Sequence, residues 1–356
     1  MDQELAVQAV HRNPSIAFPE DGFKEEDFQF VKREEGLETD HTYSGESFFR
    51  AAVHRFFARK ANIFGLVLLC LLVLMSIIGP HISGYSYDEQ DLEREGLAPR
   101  IPGILSGAET LSGTRGDIEV NRYEELGLDD VYYFFGTDSL GRDLFSRCFQ
   151  GLRVSLLIAL AAGLIDLVIG MNYGMISGFF GGRTDMLMQQ FVDVASSIPS
   201  LVIVTLLMLI LEPGIGAIII ALMLTGWMEM SIVARAQVLK LKEQEFVLAA
   251  RTLGAGQFFI LFREILPNIV GTLITQIMVT IPNAIFLETF LSFVGLGLPI
   301  GSCSLGRLIS DGFDNCLLHP YQLVPCMLLL ILLMIACNLI ADGLKEAFDP
   351  GNRNAV

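Results

Sequence analysis

No G-x-x-x-x-G-K-[ST] loop occurs in this 356-residue chain. Such a loop cradles nucleotide phosphates on backbone amides, so ATP hydrolysis by the chain itself is not expected. The HExxH and GxSxG motifs are missing too, and the histidines (His11, His41, His54, His81, His319) are scattered over tails and loops. Charge is scarce, at 18% of residues, and one-sided, with a net value of −16. A nucleic-acid partner needs a basic footprint and is not expected here. The six cysteines make no CxxC pair, which speaks against a metal centre. Cys70, Cys326 and Cys337 fall in or beside apolar runs and read as small buried residues. Cys303 and Cys316 share one outer loop, the place where a disulfide would persist. A basic lead-in followed by a short apolar core is also absent: the first sixty residues are acidic and polar, so no cleaved signal peptide is expected.

What the chain has in abundance is apolar sequence, 52% of residues with a mean hydropathy of +0.52. Runs near twenty residues cross a bilayer core of about 30 Å as helices. Six are present, at about 62–79, 154–176, 191–211, 215–233, 269–293 and 324–341. Two contain prolines, Pro199 and Pro282, which membrane helices tolerate. Lys and Arg in short loops stay in the cytoplasm. Arg50, Arg55, Arg59 and Lys60 precede the first run, and Arg235, Lys240, Lys242, Arg251 and Arg263 lie between the fourth and fifth. Six crossings with both termini cytoplasmic satisfy this pattern. The expected fold class is therefore an all-α integral membrane protein. Its parts are an acidic cytoplasmic tail (1–47), an interfacial amphipathic helix (48–61), a first span (62–79), an extracytoplasmic insertion (80–153), a five-helix core (154–349) with a cytoplasmic loop (234–268), and a tail (350–356).

That loop carries EFVLAARTLGAGQFFILFREILPN, from Glu245 to Asn268. Glu245 suits the positive end of a helix. Ala249 and Ala250 are small enough to let such a helix sink into a partner's cleft, beside Arg251. Gly254, followed by Ala255, ends the helix as a C-terminal cap. Phe258, Phe259 and Phe262 are expected to anchor the adjoining segment to the membrane domain, and Leu266-Pro267 to open the fifth span. Upstream, Asp138 and Asp143 are helix caps, Gly136 and Gly141 allow tight turns, and Arg142, Arg147 and Arg153 line up near the membrane edge. Asp166 and Glu229 fall inside predicted spans, where a carboxylate is costly. Either they line a pathway, meeting a substrate's amino group, or they pair with neighbouring helices. Glu288 reads as a packing or gate residue.

Three sets of residues together resemble one family. Ala249-Ala250, Gly254 and Leu266-Pro267 match the "EAA" signature of ABC importer permeases, with the acidic residue displaced upstream to Glu245. Gly136-Thr137-Asp138, Leu140-Gly141-Arg142-Asp143, Ser146-Arg147 and Arg153-Val154-Ser155-Leu156 resemble the lead-in to the second span of its peptide-transporting branch. Leu291-Ser292-Phe293, Gly295-Leu296-Gly297 and Ser304-Leu305-Gly306 resemble its motif after the fifth. Asp185, Asp193 and Pro199 fit its connection from the second to the third span. The resemblance covers roughly 48–349 and is to the "C"-type permease of dipeptide/oligopeptide importers. It implies a type I ABC importer permease fold with a coupling helix over about 245–255. The implied partners are a second permease, two cytoplasmic ATPases holding ATP and Mg, an extracytoplasmic peptide-binding (lipo)protein, peptide and membrane lipid, all at a bacterial cell membrane. Leu248 stands where the signature has its Glu, Glu264 where the branch has His, Gln190 for Arg, and Leu305 for an aromatic residue. A nickel or small-solute permease shares these motifs, and an ion-coupled carrier using Asp166 and Glu229 is the reading from a different class.

Overall fold

A computed structural model of the chain describes residues 48–348, apart from 108, 114–115, 129, 213 and 300–301. The expected tails, 1–47 and 350–356, lie outside the described residues. Helix α1 (Phe48–Ala58) ends where Arg59 turns extended, with φ −98° and ψ 126°. Helix α2 (Lys60–His81) follows at once. Beyond it come a short turn of helix α3 (Arg122–Glu125) and the long α4 (Leu144–Phe180). Next stand α5 (Gly182–Ser196), α6 (Ser200–Ile210), α7 (Ile215–Leu241), α8 (Glu245–Thr252) and α9 (Gln257–Phe293). Helix α10 (Leu305–Asp314) and α11 (Pro320–Phe348) complete the described chain.

Five of these, α2, α4, α7, α9 and α11, are long and apolar enough to cross a bilayer. All five outrun the apolar stretch that predicted them: α4 begins ten residues before 154, and α9 twelve before 269. The reason is local. Asp143 caps α4 by accepting from the Phe145 and Ser146 amides, so the helix starts in the polar lead-in. The predicted third span, 191–211, is not one helix. Pro199 disfavours helical backbone at the residue before it, and α5 and α6 meet at 73° across the break. Pro282, by contrast, sits inside an unbroken α9.

The all-α expectation also needs correction. The outer insertion holds two antiparallel hairpins, β1 (Arg100–Ile101) with β2 (Leu105–Ser106) and β3 (Glu109–Gly113) with β4 (Gly116–Val120). Leu97, Tyr123 and Tyr133 form a small core in the same insertion, with Arg100 of the first hairpin lying over the Tyr123 ring. Burial there pushes the Tyr123 and Tyr133 phenols up from their ordinary pKa.

Leu72, Phe149, Leu152, Ile285, Leu305, Leu308, Leu329 and Leu333 join α2, α4, α9, α10 and α11 into one core. A second core joins α4, α6, α7 and α9, and a third gathers the ends of α4 and α7 with α8 and the start of α9. One seam has almost no side chains. Gly170, Gly174 and Gly178 of α4 lie against Trp227 and Met230, Ser231 and Ala234, and Arg235 and Val238 of α7. A Cβ at Gly178 would come within 2.9 Å of the Arg235 carbonyl oxygen. Residue numbers rise together along this seam, so α4 and α7 run parallel.

Candidate functional site

Helix α8 sits on the link between α7 and α9, and its inner and outer faces differ sharply. Val247 is fully buried, against a cluster that includes Ile260, Leu261 and Ile265. Ala250 and Ala255 pack on the same cluster, whereas Ala249 faces outward. The two alanines grouped in the sequence therefore do different jobs: one seats the helix on its own chain, the other leaves its outer surface smooth. Around Ala249, Leu248 is 49% exposed and Leu253 87%. Glu245 and Arg251 are exposed beside them.

Gly254 closes the helix. It has φ +82°, and its amide donates to the Arg251 carbonyl while the Ala255 amide donates to Ala250. That pair of bonds is a Schellman cap, which needs a left-handed residue at this position. Gly295, with φ +81°, closes α9 in the same way. The platform under α8 is fixed from the side by α4. Lys242 Nζ donates to the Gly178 carbonyl at 3.1 Å, and the Arg251 guanidinium lies 5.6 Å from the Phe179 ring centre. Nearby, Arg235 grips Asp185 through two bonds of 2.6 and 2.7 Å, and Ser177 donates to the same carboxylate. One node thus joins α4, α5 and α7 one helical length from α8.

One expectation around this loop is corrected and one holds. Phe258, Phe259 and Phe262 are exposed, 64%, 47% and 43% respectively, and only Phe258 meets another ring, edge-on against Phe180 of α4; the buried anchors are Ile260, Leu261 and Ile265. Leu266 and Pro267 do open the regular α-helix of the fifth span (Leu266–Phe293), with the proline in its first turn, although helical winding of α9 starts earlier, at Gln257. Residues 260–265 wind as a π-helix just before Leu266 and Pro267. A wider winding there accommodates the amide that proline lacks. Leu266 is half-buried and Pro267 exposed.

At the opposite end of the bundle, Asp138 accepts from the Leu140 and Arg142 amides and from Arg142 Nε at 2.7 Å. Arg147 Nε lies 3.2 Å from the same carboxylate, and all three side chains are buried. Gly141 fits here because a Cβ would strike the Asp91 carbonyl, at φ +70°. Cys303 and Cys316 are both free thiols, so the expected disulfide is absent. The Cys303 thiol is instead buried and donates to the Arg147 carbonyl.

Glu288 of α9 is fully buried and accepts from its own helix, from α4 and from the residue that caps α10. Ser304 donates to it at 2.6 Å, Ser292 at 3.0 Å, and Ser155 of α4 at 3.5 Å. Asp166 opens a π-helical stretch of α4, 166–171, and accepts from Thr280 Oγ1 of α9 at 2.5 Å. Glu229 is exposed and within electrostatic reach of Asp166. Asp193 is exposed and accepts from Gln189 on its own helix. Sequence reasoning named Asp185, Asp166 and Glu288 but not Arg235, Thr280 or the serines as their partners. It also passed over the glycine seam, although glycines at every fourth residue were there to be read.

Residues 170–354 match the family model described as binding-protein-dependent transport system inner membrane component. Residues 47–99 match the N-terminal transmembrane domain of oligopeptide transport permease C. The oligopeptide transport system permease protein OppC of Bacillus subtilis (strain 168) is 38% identical over 304 residues, 85% of this chain and 90% of its own. The dipeptide transport system permease protein DppC of Lactococcus lactis subsp. cremoris (strain MG1363) is 38% identical over 312 residues, 85% and 91% of the two chains. Among solved structures, the methionine ABC transporter MetNI in inward-facing form matches 56% of this chain and 95% of its own, at 17% identity and a TM-score of 0.48.

Proposed function

The chain belongs to the binding-protein-dependent transport system inner membrane component family, a family of multi-pass membrane permeases, and from that premise we propose that it is one of the two permease subunits of an ATP-driven importer of di- and oligopeptides. The observation that carries the reading is α8: a rigid, capped helix whose inner face is locked to α4 and α9 and whose outer face offers Ala249, Leu248 and Leu253 to a partner.

Six crossings are supported by the parallel seam. Two parallel helices require the chain between them to return across the layer, and only the bent pair α5–α6 is available for it. The start of α2 and the end of α11 then lie on the side of α8, in keeping with the ion pair between Arg59 and Glu346. Short basic loops assign that side to the cytoplasm. The insertion with its hairpins faces outward, where a peptide-binding protein delivers its cargo. A second permease supplies the other half of the path, and two cytoplasmic ATPases receive α8.

The mechanism follows from how α8 is mounted. ATP-driven movement of a bound ATPase displaces α8 as a rigid body. Val247 and its cluster pass that displacement to the ends of α4, α7 and α9, and the path switches its open side. The test is co-purification of the assembled complex. Gly254→Arg puts a long side chain on a left-handed residue at the tip of the docking face. The variant is expected to insert in the membrane normally and lose its ATPases. Normal co-purification of the ATPases with that variant would refute the docking role.

A further inference from the structure

We infer that Asp166, Thr280 and Glu229 form a cation subsite at the middle of the membrane domain, built for the primary ammonium group of the transported peptide. The inference rests on the permease reading above and adds a substrate-recognising group to it.

Position is the first observation. Asp166 lies near the midpoint of α4 (Leu144–Phe180), Glu229 near that of α7 (Ile215–Leu241), and Thr280 a turn past that of α9 (Gln257–Phe293). The 2.5 Å bond from Thr280 to Asp166 puts those two at one depth, and Glu229 of a third helix lies within electrostatic reach of Asp166. Transport sites concentrate at that depth, because both openings of the path reach it.

The second observation is an unmet valence. Asp166 is 1% exposed, and Thr280 serves only Oδ2; Oδ1 is buried with no hydrogen-bond partner among the described residues. A buried carboxylate oxygen left alone is strongly disfavoured, and a neighbouring acid worsens it. Among the described residues, no basic side chain stands ready to relieve it. The nearest cation along α7 is Arg235, six residues on, roughly 9 Å at the helical rise, and Asp185 holds it through two bonds. On α4 the nearest is Arg153, thirteen residues toward the outer end. No described residue supplies that cation, and a bound one would. Peptide ammonium fits the donor set: three N–H donors against Oδ1, the exposed carboxylate of Glu229 and the Thr280 oxygen.

The third observation is where the site sits in the moving parts. Asp166 begins the π-helical stretch of α4, and π-bulges accompany functional sites. The same six residues end at Met171, beside the glycine seam, so a displacement of α9 relative to the α4–α7 pair opens or closes the gap between Asp166 and Thr280.

The experiment uses the complete complex, with both permeases, ATPases and binding protein, in proteoliposomes supplied with trialanine. Asp166→Asn keeps the shape and the Thr280 bond but removes the charge. ATP-dependent uptake is expected to fall about tenfold, the size of one lost charge-assisted hydrogen bond, while the ATPases still co-purify. Asp166→Glu is expected to retain most of the uptake. Thr280→Val and Glu229→Gln should each give a smaller loss, seen as a raised KM for uptake with the same maximal rate. Wild-type uptake by Asp166→Asn would overturn the proposal, because a neutral side chain would then suffice. So would an Asp166→Asn chain that fails to assemble, which would assign the carboxylate to folding. A wild-type complex that imports no trialanine at all would instead refute the peptide reading itself.

Discussion

The Cys303 thiol is enclosed on every side and donates to the Arg147 carbonyl, and burial pushes its pKa up to about 12. A thiol reacts as the thiolate, so a buried, protonated Cys303 is expected to be unreactive near neutral pH. Cys316, only partly buried, has no such protection. Maleimide labelling of the folded protein between pH 7 and 9, with peptide mass mapping of the product, is expected to mark Cys316 and spare Cys303. Equal labelling of both would show that the loop is not closed as described. Glu288 makes the converse case of a charge kept inside by hydroxyls. Glu288→Ala leaves Ser155, Ser292 and Ser304 without their shared acceptor and opens a void between α4, α9 and α10. The cost is expected to be about 3 kcal/mol or more, read as a lowered unfolding temperature in detergent. Glu288→Gln keeps one acceptor oxygen and is expected to lose clearly less.

Among the elements, the α4–α7 seam tolerates the least change. Gly174→Leu would drive a side chain into the Ser231 carbonyl and the Ala234 methyl. It is expected to reduce the yield of folded protein severely, whereas Gly216→Ala, at a residue with open space around its Cα, is expected to fold normally. Comparing monodisperse yields of the two by size exclusion decides the matter. The elements also show which physics a sequence displays. The Asp143 cap and the Gly254 stop were legible, because a cap is a contact between residues two to five apart. So were the apolar runs, though not their ends, since helix continues into polar flanks wherever a cap permits. The break at 197–199 was hidden, because Pro282 and Pro199 look alike in sequence and only one interrupts a helix. The outer hairpins were missed because their strands are two to five residues long and carry no sustained alternation. Arg235, Thr280 and Ser155, which reach Asp185, Asp166 and Glu288 from other helices, lie 50, 114 and 133 residues away and had no local trace. The phenylalanines of 258–262 misled for a related reason: an aromatic residue near a membrane protein's edge is as much at home facing lipid as facing core.

At the scale of the whole molecule, the two ends of the bundle are held differently. The outer end is tied by buried charges around Asp138 and by Gln322 Nε2 donating to the Thr137 carbonyl, which binds the last long helix to the insertion. The inner end relies on the half-buried pair Asp185–Arg235. Reversing it with Asp185→Arg is expected to stop ATP-dependent uptake, and the double exchange Asp185→Arg with Arg235→Asp is expected to recover part of it. Uptake unaffected by the single reversal would remove this pair from the path between α8 and the bent span.

The glycine seam has one more implication. Met230, Ala234 and Val238 of one rod sit in the notches that Gly170, Gly174 and Gly178 leave in the other, and sliding by a turn would drive them out of those notches. Helices α4 and α7 are therefore expected to travel as a single plank. What flexing there is falls to the elbow at 197–199 and to the loosened coil ahead of Pro267.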